Sequence, residues 1–97
     1  MGSGGGQGAA PAAASVSIAG FKFAPRTVRV ATGGTVTFTN ADRASHTATA
    51  VQGAPASFDT GRLKRGASKP VKLTKAGTYA YVCAFHPYMK GAVVVSG

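Results

Sequence analysis

The chain has 97 residues, enough for one small domain. Eleven Lys and Arg stand against two acids, Asp42 and Asp59, for a net charge of +9, which favours acidic proteins, anionic surfaces or nucleic acid as partners. No apolar run is long enough to span a bilayer, and a single cysteine excludes an internal disulfide.

Residues 1–14 are Gly, Ala, Ser, Gln and Pro with no periodicity. They read as a flexible linker or cloning remnant, leaving 15–97 as the folded domain. No basic region followed by an apolar run is present there, so an exported form would have a signal that this chain does not carry. The remainder has the period of β-strands. Val16 and Ile18 alternate with serines, and Phe21-Lys22-Phe23 alternates again before Pro25. Thr27–Val30 and Thr35–Thr39 are two strands joined by a turn at Gly33-Gly34. Residues 40–43 form a loop and His46–Val51 a strand. Gln52–Phe58, with Gly53 and Pro55, crosses the surface as a loop. Val71–Leu73, Thr78–Cys83 and Ala92–Val95 are further strands, the last expected to be buried on both faces. No convincing helix is found. Short strands about ten residues apart indicate an antiparallel sandwich or barrel.

The basic residues are scattered at spacings that suit solvated strand faces. Nucleic-acid binding would rest on charge alone, without a helix for a groove or a clear aromatic platform.

The residues that carry chemistry are few: one Cys, two His, and one Met besides Met1. Three of them lie in Cys83-Ala84-Phe85-His86-Pro87-Tyr88-Met89. A loop leaving a strand end can aim its first, fourth and seventh residues at one ion, and His46 can complete the site from a neighbouring strand end. A thiolate and two imidazoles with a weak thioether describe an electron-transfer copper site. Zinc prefers four strong ligands and would leave Met89 unexplained. A Cys83 nucleophile with His86 as base is the enzymatic alternative, but no Asn, Asp or Glu is clearly placed to orient the histidine.

The segment from Gly77 to Gly91, followed by Val93-Val94-Val95, resembles the cupredoxins, and within them the amicyanin and plastocyanin group. The short gaps on either side of His86 are similar to the amicyanin ligand loop. Gly34–Asn40, six residues before His46, is similar to the strand leading to the first ligand, and Phe58-Asp59-Thr60-Gly61 to another segment of the group. The resemblance covers about residues 16–96. It implies an all-β, Greek-key sandwich of seven or eight strands with no substantial helix. It further implies one copper ion per chain on His46, Cys83, His86 and Met89, and single-electron transfer between redox proteins. The carrier would be a monomer, outside the cytoplasm, and not an enzyme. The electron port would be the edge of His86, within a patch of Phe85, Pro87 and Tyr88. A copper storage or delivery module, or an excised domain of a larger copper oxidoreductase, is the other reading.

Around the ligands, Asn40, Thr47, Ala84 and Phe85 are the supporting candidates. The family often has Asn where Thr47 stands and Thr or Ser where Ala84 stands, and those side chains tie the ligand strands together. With Ala84 that tie is expected to be missing or replaced. A proline commonly precedes the loop histidine. Phe85 restores a backbone N–H there, which is expected to point at the Cys83 sulfur, or else Phe85 only packs over the site.

Overall fold

Eight strands follow the apolar alternation, in a computed structural model that describes residues 10–97. They are β1 (Ala13–Ala19), β2 (Lys22–Ala24), β3 (Thr27–Ala31), β4 (Gly34–Asn40), β5 (Thr49–Ala50), β6 (Ser68–Leu73), β7 (Gly77–Val82) and β8 (Lys90–Ser96). One sheet has the order β2-β1-β4-β6 and the other β3-β8-β7-β5. The described residues contain no helix, so none is long and apolar enough to cross a membrane. The architecture is an all-β sandwich of two four-stranded sheets, as the resemblance implies.

Several details differ from the expected ones. Residues 1–9 of the expected linker lie outside the described residues. Ala13 and Ala14, which composition places in that linker, pair with Thr35 and Val36. The Pro11 and Ala12 carbonyls accept from the N–H groups of Ala31 and Thr35 at 2.8 and 2.9 Å. The Gly33 turn does not close a hairpin: β3 and β4 lie in different sheets, and the chain crosses between them with Gly33 at φ +86°. Two pairings are parallel, β1 with β4 and β3 with β8, so the sandwich is not purely antiparallel. The strand expected over His46–Val51 shrinks to Thr49–Ala50, because His46 pairs instead with Leu63. β8 buries one face only: Val93 and Val95 are buried, while Ala92 and Val94 are half-buried.

Period-two alternation turns Val16, Ile18, Val30, Val36, Phe38, Tyr79, Tyr81, Val93 and Val95 into a single core between the sheets. Tyr81 lies at its aromatic centre, with ring centroids 4.7 Å from Phe23, 5.2 Å from Phe38 and 6.0 Å from Phe58. Its ring approaches β8 so closely that a Cβ on Gly91 would overlap it. The two core tyrosines differ in their hydroxyls. Tyr79 donates to the Lys75 carbonyl at 2.7 Å, whereas the buried Tyr81 hydroxyl has no partner among the described residues. Burial pushes the Tyr81 phenol well above its ordinary pKa.

A matched pair of substitutions tests this difference. Tyr79→Phe is expected to lower the unfolding free energy by about 1 kcal/mol, the net worth of one hydrogen bond. Tyr81→Phe is expected to leave it unchanged or raise it, since an unpaired buried hydroxyl only costs desolvation. Urea denaturation of the two variants at neutral pH gives both values, and equal losses would contradict the assignment.

Candidate metal centre

β4 ends at Asn40, and that residue shapes the segment leading to His46. Its buried amide Nδ2 donates to the carbonyls of Ala44 and Leu63, both at 2.8 Å. Its Oδ1 accepts from Asp42 N–H at 2.9 Å. The segment is thus wound round one side chain, and His46 is delivered to a fixed place. There the His46 backbone exchanges two hydrogen bonds with Leu63, at 3.1 and 2.7 Å. The imidazole is fully buried.

The His46 ring is fixed from behind. Nε2 lies 2.9 Å from Asp42 Oδ2, and the same carboxylate accepts from Gly20 N–H at 2.8 Å and Phe21 N–H at 2.9 Å. Burial alone would raise the Asp42 pKa, but the bonds from Phe21, Gly20 and His46 outweigh it and hold the pKa below its ordinary value. An ionised carboxylate only accepts, so His46 Nε2 donates to it, and Nδ1 is the nitrogen left facing the sulfur of Cys83, 3.6 Å away.

The loop from Cys83 to Met89 closes on itself. His86 N–H donates to the Cys83 carbonyl at 3.2 Å, Met89 N–H to the His86 carbonyl at 2.8 Å, and Cys83 N–H to the Met89 carbonyl at 3.2 Å. This winding brings His86 Nδ1 to 3.7 Å from Cys83 Sγ. The ligand atoms of His46, Cys83 and His86 all lie within 4.8 Å of one another. Cys83 and Met89 are buried and His86 is half-buried.

Thr47 joins the two ligand-bearing segments. Its N–H donates to Cys83 Sγ at 3.4 Å, and its Oγ1 accepts from Ala84 N–H at 2.8 Å. The tie that Ala84 cannot make with a side chain is therefore made by its backbone. The expectation for Phe85 fails: among the described residues the N–H on the sulfur is that of Thr47, not Phe85. Phe85 is 48% exposed, with the Arg62 guanidinium 5.7 Å from its ring centroid. Pro87 and Tyr88 are also exposed, beside His86.

Two contributors went unread in the sequence. Asp42 could have been found as one of two acids, four residues before His46. Phe21 gave no signal. Its backbone is left-handed at φ +59°, a conformation that costs a large side chain energy and that the Asp42 carboxylate holds in place. The ring stands edge-on to both His46 and His86, with centroids 5.0 Å away in each case.

The donor set fits copper. A buried thiol faces two Nδ1 atoms, one on a ring held from behind by a carboxylate, and the loop that carries the thiol ends on a buried methionine. Thiolate, imidazole and thioether together are soft donors that zinc rarely assembles.

Asp42→Ala would free His46 Nε2 and the Gly20–Phe21 turn at once. Copper affinity, measured by competition with a chelator, is expected to fall about 10–100-fold, the usual effect of removing a group that orients a ligand. The far-UV spectrum should not change. Unaltered affinity would mean that the backbone pairing with Leu63 is sufficient to hold the ring.

The comparisons agree with this site. A family description, copper binding proteins of the plastocyanin/azurin family, matches residues 10–96. Amicyanin-alpha of Methylorubrum extorquens is 38% identical over 82% of this chain and 69% of its own length. Amicyanin of Paracoccus denitrificans is 35% identical over 82% of this chain, which spans only 63% of that relative. Among solved structures, a copper-containing nitrite reductase from Thermus scotoductus SA-01 superposes with a TM-score of 0.80 at 32% identity. That match covers 87% of this chain and 22% of the reductase chain. The chain belongs to the plastocyanin/azurin family of copper-binding proteins.

Proposed function

We propose that this domain, which takes in Ala13 and Ala14 as well as 15–97, is a blue-copper electron carrier. It passes single electrons between redox proteins, acts as a monomer outside the cytoplasm, and is not an enzyme. His46, Cys83, His86 and Met89 would hold one copper ion. The observation that carries this reading is the buried thiol facing two imidazole nitrogens, all within 4.8 Å, on a β-scaffold. Bound copper supplies a one-electron couple and a strong bond to the thiolate sulfur.

The protein residues keep the donor set in place. Asp42 and Leu63 hold His46, Thr47 ties its strand to Cys83, and the internal hydrogen bonds of the 83–89 loop set His86. A scaffold fixed in this way suits electron transfer, because little has to move between oxidation states. His86 is the one half-exposed member of the set, and Phe85, Pro87 and Tyr88 surround it as an exposed patch. Its edge is the natural port for the electron. The amicyanin relatives support this reading by their likeness over most of the chain.

One observation favours a second reading. This chain matches 22% of a nitrite reductase chain with a TM-score of 0.80, so the same fold occurs inside a longer protein. The domain would then deliver electrons to a catalytic unit on the same polypeptide.

Titration with Cu(II) is expected to saturate at one equivalent and to give an intense visible charge-transfer band. Cys83→Ser should abolish the colour, since the chain has no other thiol. Fast, reversible voltammetry is expected for a carrier. A colourless, zinc-preferring protein would overturn the copper assignment, and slow redox with ready metal loss would point to storage or delivery.

A further inference from the structure

Three large apolar side chains are exposed in the described structure, Phe21, Phe85 and Tyr88. Two of them, Phe21 and Tyr88, wall a cleft of about 340 Å³ beside Met89. The other walls bring in Lys22, Arg26 and Lys90. These three cations come from two parts of the chain: Lys22 from β2, Arg26 from the turn after it, and Lys90 from the start of β8. Neither acid of the chain neutralises them. Asp42 is engaged with His46, Gly20 and Phe21, and Asp59 bonds Thr49 and the Gly61 N–H.

We infer that this cleft is a docking anchor for an acidic segment of the redox partner, seated on the Met89 side of His86. The inference rests on the electron-carrier reading and adds where the partner binds and by what chemistry. The aromatic walls are the same rings that touch the port: Phe21 lies 5.0 Å and Tyr88 5.9 Å from the His86 ring, centroid to centroid. A segment held between them is therefore in register with the half-exposed imidazole. Carboxylates entering the cleft meet three like-signed groups over apolar walls, where ion pairs are less screened than on open surface. Aromatic and cationic side chains side by side are also the residue types that dominate binding energy at interfaces. Of the other basic residues, Arg29, Lys69 and Lys72 lie on strands and Arg43, Arg62, Lys64, Arg65 and Lys75 on loops and turns, and none of them lines this cleft. They raise the encounter rate from a distance, whereas the cleft fixes orientation.

The test uses copper-loaded, reduced, isotope-labelled protein and a hexaglutamate peptide as probe. Amide shifts are expected to concentrate on the residues lining the cleft. Lys22→Glu/Arg26→Glu should weaken binding by about fivefold or more. Lys72→Glu/Lys75→Glu carries the same change in net charge on β6 and the turn after it, and should weaken binding by less than about twofold. Shifts scattered over all basic faces, or equal loss in both variants, would overturn the anchor. So would inorganic phosphate or anionic phospholipid vesicles producing the same shifts at matched ionic strength, since the cleft would then lack any preference for a carboxylate segment. The visible spectrum of the oxidised proteins is recorded alongside. Absence of the blue band in the parent protein would be a failure of the carrier reading, separate from any result on the peptide.

Discussion

The two hydrogen bonds at Thr47 couple the halves of this site. β5 pairs with β7 only at Thr49 with Val82 and Ala50 with Tyr81, so the ladder ends before it reaches the ligands. Beyond that end, Thr47 N–H reaches the Cys83 sulfur and Ala84 N–H reaches the Thr47 hydroxyl. These bonds carry the link between the His46 segment and the Cys83 loop past the last ladder pair, up to the ligand residues themselves. Thr47 is held in turn, since its hydroxyl lies 2.9 Å from that of Thr49. The sulfur consequently has a fixed N–H donor as well as two facing imidazoles, and a bond to a thiolate draws electron density from it.

A second layer of constraint works from the far side of His46. One carboxylate, Asp42, binds the imidazole and two backbone N–H groups of the Gly20–Phe21 turn. The left-handed backbone at Phe21 is the energetic cost of this arrangement, and it brings the ring over both histidines. The same ring lines the basic cleft, so packing against both histidines and the proposed docking anchor share one side chain. The site is local in space and distributed in sequence, with contributions near residues 20, 42, 47 and 83.

Much of this was legible beforehand for simple reasons. Strict alternation marks a strand with one buried face, so the Val16–Ile18 part of β1, and β3, β4 and β7, could be read directly. The 83–89 segment has few ways to use Cys, His and Met at its first, fourth and seventh places. Pairing partners were less accessible, because alternation tells which face is buried and not which strand lies alongside. The parallel pairs β1–β4 and β3–β8, and the split of β3 from β4, depend on that missing information. Hydrogen bonds from backbone N–H groups were also beyond reach. Phe85 seemed well placed to serve the sulfur, but the loop winds by His86 N–H to the Cys83 carbonyl, and Thr47 takes that role. That Ala84 lacks a polar side chain is plain from the sequence, which leaves its tie either missing or replaced. Its replacement by the backbone of the same residue needed coordinates.

The hydrogen bonds around the donors imply that the protein, not the metal, sets their geometry. Crystal structures of metal-free, Cu(I) and Cu(II) forms test it most directly. His46 Nδ1, Cys83 Sγ and His86 Nδ1 are expected to superpose within about 0.5 Å across all three, the tolerance expected of a preorganised site. The Thr47 and Asp42 bonds are expected in each. A metal-free form in which the 83–89 loop unwinds, or in which the Thr47 N–H leaves the sulfur, would show that copper imposes the arrangement instead.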